Sequence, residues 1–171
     1  MRSLVPAILS LFILSIGVNS CKISYSFSGT NISPEVKTFS VEDFPNRAQL
    51  YIPNLSETFV DKLKEKILSQ TNLIQVTNKQ GDINFSGAIT DYTIRPNAVS
   101  GNETAATNRL TITINVKYTN NKDHKQDWEK SFSNYADYNA NQDISQVEEE
   151  LINEVLDKII QDIYNNSIAS W

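Results

Sequence analysis

Few side chains in these 171 residues are equipped for covalent or acid–base chemistry: there is one cysteine, Cys21, and one histidine, His124. Nucleophilic catalysis needs a hydroxyl or thiol with a base in reach, most often an imidazole. His124 lies in Lys122-Asp123-His124-Lys125, a charged stretch with the composition of a solvated turn. Glu148, Glu149 and Glu150 could supply a carboxylate pair, but they open an apolar-periodic segment, where the positive end of a helix dipole accounts for them. No grouping of Cys, His and acidic residues has zinc or EF-hand spacing, and the five glycines are too scattered to cradle a phosphate. The expectation is a non-enzyme with no catalytic residue, metal or cofactor.

The chemistry left is that of Cys21, and its surroundings say which chemistry. Arg2 precedes an apolar run from Leu4 to Val18, broken by Pro6 and Gly17, and small Ser20 stands directly before the thiol. The run is shorter than the roughly 20 residues that cross a bilayer as a helix. It reads as a cleaved secretory signal over residues 1–20. A small residue followed by Cys at the cleavage point resembles the lipobox of bacterial lipoproteins, although Val18 stands where such boxes usually carry Leu. That resemblance implies acylation of Cys21, and two or more chains anchor a protein stably. A lone unmodified thiol would be a liability in an oxidising compartment.

Without residues 1–20, where Arg2 is the single charged residue, 14 basic side chains face 20 acidic ones, a formal charge of −6. Such a balance disfavours nucleic acid as a partner. Residues 21–35 read as lipid anchor and tether, with Ile23, Tyr25 and Phe27 alternating as in an edge strand, and 36–171 as one domain with its own core.

Within that domain Val36–Val41 alternates as a strand before Pro45. Leu55, Phe59, Leu63 and Ile67 then recur at helical spacing, with Pro53 at the first turn and Asn54 available as cap. A short strand over Leu73–Thr77 leads to the Gly81 turn. Residues 83–96 follow as a long strand with a change of face near Asp91, and 96–108 has loop composition. Leu110, Ile112, Ile114, Val116 and Tyr118 alternate against polar neighbours, and residues 128–135 return as the second arm of a hairpin. Ser145 and Glu148 match a capping box, with Asp143 beside it, and open an apolar stripe from Val147 to Tyr164. The economical architecture is α+β: a two-layer sandwich with both helices on one face of a mostly antiparallel sheet of about four strands. The other face carries Thr, Asn, Ser and Lys.

Several strings together give a more specific signal. Tyr25-Ser-Phe-Ser-Gly-Thr30, Val36-Lys-Thr-Phe-Ser-Val41, Asn46-Arg-Ala48, Gly101-Asn-Glu-Thr-Ala-Ala-Thr-Asn-Arg-Leu-Thr-Ile112, Tyr135-Ala-Asp-Tyr138, Ile163-Tyr164 and Trp171 resemble the LptE-like family of lipopolysaccharide-assembly lipoproteins. The resemblance implies a lipid-anchored protein on the periplasmic side of a Gram-negative outer membrane. It also implies a partner, the LptD-type β-barrel, which the domain plugs and helps assemble, and lipopolysaccharide as cargo. A barrel lumen is polar, so the Thr/Asn/Ser strand faces and loop 96–108 suit insertion. Arg95 and Arg109, flanking that loop, and Lys117 are the cations to test against an anionic glycolipid. The competing expectation is a surface lipoprotein binding glycan or a host protein, which exposed aromatics on the sheet would favour. Lys22-Ile23-Ser24 after the cysteine lacks the acidic cluster that some exported lipoproteins carry.

Overall fold

The computed structural model describes residues 32–77, 80–97 and 107–169. Cys21, the 1–20 signal, the alternation at Ile23–Phe27 and most of loop 96–108 lie outside the described residues. In chain order the elements are β1 (Thr38–Val41), α1 (Leu55–Gln70), β2 (Ile74–Gln75), β3 (Ile83–Asn97), β4 (Thr107–Asn120), a 3-10 turn (His124–Gln126), β5 (Trp128–Asn139) and α2 (Ile144–Ser167).

The strands form one sheet in the order β2-β1-β3-β4-β5. A long antiparallel meander, β3 to β5, supplies most of it. The sheet has five strands where about four were expected, the short strand expected over Leu73–Thr77 forming at Ile74 and Gln75 against the outer edge of β1. That edge is parallel, as is the β1–β3 pairing. The crossover through α1 brings the chain back to the end from which β1 started, so parallel pairing is the only outcome for β2 beside β1.

Alternation decides which side of the sheet is buried. Leu110, Ile112, Ile114, Val116 and Tyr118 of β4, with Phe132, Ala136 and Tyr138 of β5, face the helices. The change of face near Asp91 is a β-bulge: Ile89 pairs with Ile114 and Asp91 with Thr113, which leaves Thr90 as the extra residue. Ile83, Phe85 and Ile89 before the bulge and Tyr92 after it therefore all reach the core. Gly87 is required where it stands, because a Cβ there would lie 2.0 Å from the Asn115 carbonyl oxygen and 2.8 Å from Phe44.

Helix α1 buries Leu55, Phe59, Val60, Leu63 and Ile67, and α2 buries a stripe from Leu151 to Tyr164. The two run parallel, since Lys62 meets Asp157 at 2.7 Å and Lys66 meets Gln161 at 2.7 Å. The capping box expected at Ser145 and Glu148 does not form. Helix α2 starts earlier, with Asp143 as cap accepting from the Ser145 amide at 3.0 Å. Glu148 is thereby moved beyond the third helical position, and its carboxylate accepts instead from the buried Tyr92 hydroxyl at 2.8 Å, tying helix to sheet. Asn54 does precede α1, but in the left-handed region (φ 61°) and without a side-chain cap; its carbonyl accepts from Thr58.

Candidate functional site

Across β3, β4 and β5 the sheet face turned away from the helices is mostly hydrophilic. Register across β3, β4 and β5 lays its side chains in rows: Arg95, Arg109 and Asp137; Thr93, Thr111 and Tyr135; Asp91, Thr113 and Ser133; Ser86, Lys117 and Glu129. Partners directly opposite share a face of the sheet. The period-two Thr/Asn/Lys pattern of β4 thus becomes a polar slab, tied across by Thr113 and Ser133 at 2.9 Å.

Arg95 and Arg109, far apart in sequence across loop 96–108, are direct neighbours in space. They are not equivalent. Arg109 is held by a two-point pair to Asp137, Nε to Oδ1 at 2.7 Å and Nη2 to Oδ2 at 2.9 Å, and its guanidinium lies 3.6 Å from the centre of the Tyr135 ring. Two-point geometry of this kind is the strong form of an arginine–carboxylate bond. The Arg109 hydrogen bonds hold the Asp137 carboxyl below the usual carboxylate range and push the guanidinium up. Arg95 is exposed and has no ion-pair or hydrogen-bond partner among the described residues. Of the two, Arg95 carries the charge available to a ligand, and Arg109 with Tyr135 and Asp137 forms the ordered wall beside it.

Lys117 does not join them. Eight residues of β4 separate it from Arg109, about 27 Å at about 3.4 Å per residue. It stands instead over a shallow groove with Arg47 and Glu129. Arg47 is a cation the sequence pattern gave no reason to select. The segment 42–48 runs along the outer edge of β3, where Arg47 N donates to Ile89 O at 2.8 Å and Asn46 bridges Ile89, and no periodicity marks such an edge-hugging stretch.

His124 behaves as its setting suggested: it is exposed in the 3-10 turn, 3.0 Å from the Asp127 carboxylate. No group of three or more metal-ligating side chains occurs among the described residues. Glu148 is engaged by Tyr92, while Glu149 and Glu150 are exposed on α2.

These features define the class first: a two-layer α+β domain that covers one sheet face with two parallel helices and leaves a broad hydrophilic face open. Residues 36–167 match the LptE family, lipopolysaccharide-assembly, so the chain belongs to that family. Two similar solved structures share the fold at low identity. A hypothetical protein from Chlamydia trachomatis aligns with a TM-score of 0.54 at 8% identity, over 77% of this chain and 98% of its own. A neuraminyllactose-binding hemagglutinin homolog from Helicobacter pylori gives 0.54 at 10%, over 81% and 87%. A minor lipoprotein from Acinetobacter baumannii gives 0.49 at 17%, over 75% and 89%. No curated protein matches the sequence.

Proposed function

We infer that this chain is a non-enzymatic outer-membrane lipoprotein of the lipopolysaccharide transport machinery, held through acylated Cys21 on the periplasmic side. In this reading it plugs and helps assemble an LptD-type β-barrel, through which lipopolysaccharide reaches the cell surface. The family match across residues 36–167 carries the reading. The open sheet face supports it physically: a domain seated in a polar lumen must present hydroxyls and amides there, and Thr93, Thr111, Thr113, Ser131 and Ser133 do so. Anionic groups of the cargo are read at Arg95, beside the Arg109–Asp137 pair.

Tyr135 is the one aromatic on that face among the described residues, and Arg109 already covers a side of its ring. This gives little support to a sugar-stacking surface lipoprotein. The test is affinity purification of the tagged, detergent-solubilised protein from its own membranes. Recovery of a large outer-membrane β-barrel is expected; its absence, or digestion of the domain when intact cells are treated with protease, overturns the reading.

A further inference from the structure

We propose that the outer edge of β5, from Glu129 to Ser133, is a docking site for the chain's own amino-terminal segment, residues 23–28, which adds there as a further antiparallel strand. The contact lies within one chain and needs neither the barrel partnership nor acylation of Cys21. Strand order leaves β5 at the margin of the sheet, and neighbouring contacts show which of its backbone groups face outward. Tyr135 N donates to Asn134 Oδ1 at 3.0 Å and Tyr135 O accepts from Lys158 Nζ at 3.0 Å, so both groups turn away from β4 and are closed off by side chains. Opposite Ser133, the Thr113 carbonyl accepts from Thr90 Oγ1 at 3.2 Å, on the β3 side. Alternate residues of an antiparallel ladder point both groups the same way, and the β4–β5 register is unbroken. Glu129, Ser131 and Ser133 therefore direct N–H and C=O outward. All three are exposed, and no strand or side chain answers these groups among the described residues. An open edge of this kind is a template for another strand.

Three observations select the occupant. First, the chain is delivered to this edge. Ile32 lines a cavity of about 350 Å³ with Trp128, Asn166 and Ser167, whereas Thr38 opens β1 beyond β3 and β4. The residues between them cross the end of the sheet, so whatever precedes Ile32 leaves on the β5 side, at roughly millimolar effective concentration for its edge. Second, length and pattern fit. Gly29-Thr30-Asn31 has turn composition, and Ser24, Ser26 and Ser28 then fall opposite Ser133, Ser131 and Glu129, a matched span of about 14 Å. Opposite residues share a face, so the serines extend the hydroxyl row of Ser131 and Ser133. Ile23, Tyr25 and Phe27 then line up on the helix side beside the row of Trp128 and Phe132, whose rings already pack at 5.7 Å. Third, Trp128 Nε1 is buried without an acceptor among the described residues, and a carbonyl of the arriving chain supplies one. The closed position at Tyr135 falls opposite Lys22 and ends the pairing. Docking thus holds Cys21 against the flank of β5, in place of a free reach of up to about 40 Å from Ile32.

The experiment is amide hydrogen exchange of the full chain in detergent, read residue by residue. The amides of Ser131 and Ser133 should exchange at least about tenfold more slowly than that of Asp137, which points outward beyond the docked segment. Ser26→Pro removes an N–H that the pairing uses and should return both to the Asp137 rate, while Ser26→Ala keeps their protection. In the Cys21→Ala background, which removes the competing thiol, Ser26→Cys with Ser131→Cys should close a disulfide under oxidised glutathione, since opposed residues bring their Cα atoms to about 5.5 Å. Exchange at Ser131 and Ser133 as fast as at Asp137 would overturn the proposal, as would protection that survives Ser26→Pro or no disulfide in the folded double variant. Protection that grows with protein concentration would assign the edge to a second copy and overturn it equally.

Discussion

Removing the carboxylate of Asp82 should loosen one whole edge of the sheet. Asp82 sits at the start of β3, and its Oδ2 accepts from two backbone amides, Lys37 N at 2.8 Å and Thr38 N at 3.0 Å, while Oδ1 meets Lys122 Nζ at 2.9 Å. Its own amide donates to Thr38 Oγ1 at 2.9 Å, so β1 and β3 are bonded reciprocally at this corner. Hydrogen bonds to a charged group contribute about 1.5–3 kcal/mol each. Asp82→Ala deletes these two bonds together with the Lys122 ion pair and leaves two amides unanswered, so at least about 3 kcal/mol should be lost, a fall of about 10 °C or more in Tm. Asp82→Asn keeps one acceptor oxygen and should cost about half as much. The pH dependence distinguishes this from a packing defect. The Lys122 ion pair and the two amides hold the Asp82 carboxyl far below the usual carboxylate range. A depressed carboxyl stabilises the fold above its unfolded pKa of about 4, and that contribution is lost as pH falls toward the folded value. Urea unfolding followed by far-UV circular dichroism between about pH 2 and 7 should therefore show a shallower acid limb for Asp82→Asn than for the native chain. Identical acid limbs, or an Asp82→Ala variant within about 0.5 kcal/mol of the native chain, would refute the reasoning.

Other consequences are as direct. Gly87→Ala drives a Cβ into the Asn115 carbonyl and should cost about 3 kcal/mol in urea titration, with Ser86→Ala beside it close to neutral. Tyr92→Phe should cost about 1 kcal/mol near neutrality. Burial first, then Glu148, pushes the Tyr92 hydroxyl up, and burial takes Tyr118 up to about 12. Stability should therefore fall above the unfolded tyrosine value of about 10, less steeply in Tyr92→Phe, as followed by alkaline unfolding. Arg95→Glu should weaken lipopolysaccharide capture in a pull-down, whereas Arg109→Lys should act mainly by freeing Asp137 and Tyr135; equal capture by the native chain and Arg95→Glu removes Arg95 from the ligand surface. Cys21→Ala should leave the domain folded but lower its share in the outer-membrane fraction, and unchanged fractionation counts against the lipid anchor.

The elements were legible wherever one period dominated. The alternation of Leu110 through Tyr118 and the stripe from Leu151 to Tyr164 each bury one face against one partner layer, so hydrophobic burial alone fixes them. Legibility failed where backbone geometry or partner choice decides. The short strand expected over Leu73–Thr77 does form, at Ile74 and Gln75, but its parallel partner is not legible, because the pairing exists only where α1 returns the chain beside β1. The capping box does not form, although Ser145 and Glu148 satisfy its spacing, because Asp143, two residues earlier, wins the cap. At the site, sequence placed Arg95, Arg109 and Lys117 on exposed positions but could not supply register, which makes neighbours of the first two and isolates the third.

Register also gives the molecule two unlike poles. The described chain begins at Ile32, which shares a cavity with Tyr118, Trp128 and the end of α2 at Asn166 and Ser167. Arg95 and Arg109 lie at the other end of the strands, level with Asp137. From Trp128 to Asp137 is nine residues of β5, about 30 Å. Eleven residues join Cys21 to Ile32, a reach of at most about 40 Å. The described chain therefore starts beside Trp128, and the arginine pole is the opposite end of the domain. Anionic cargo read at Arg95 would then be met about 30 Å beyond the point where the tether joins the fold, with the groove at Lys117 closer to the tether on the same polar face. Two cationic positions so spaced along one face cannot contact a single phosphate. Substitutions at Arg95 and at Lys117 should for that reason act independently, their effects on binding free energy adding within about 0.5 kcal/mol.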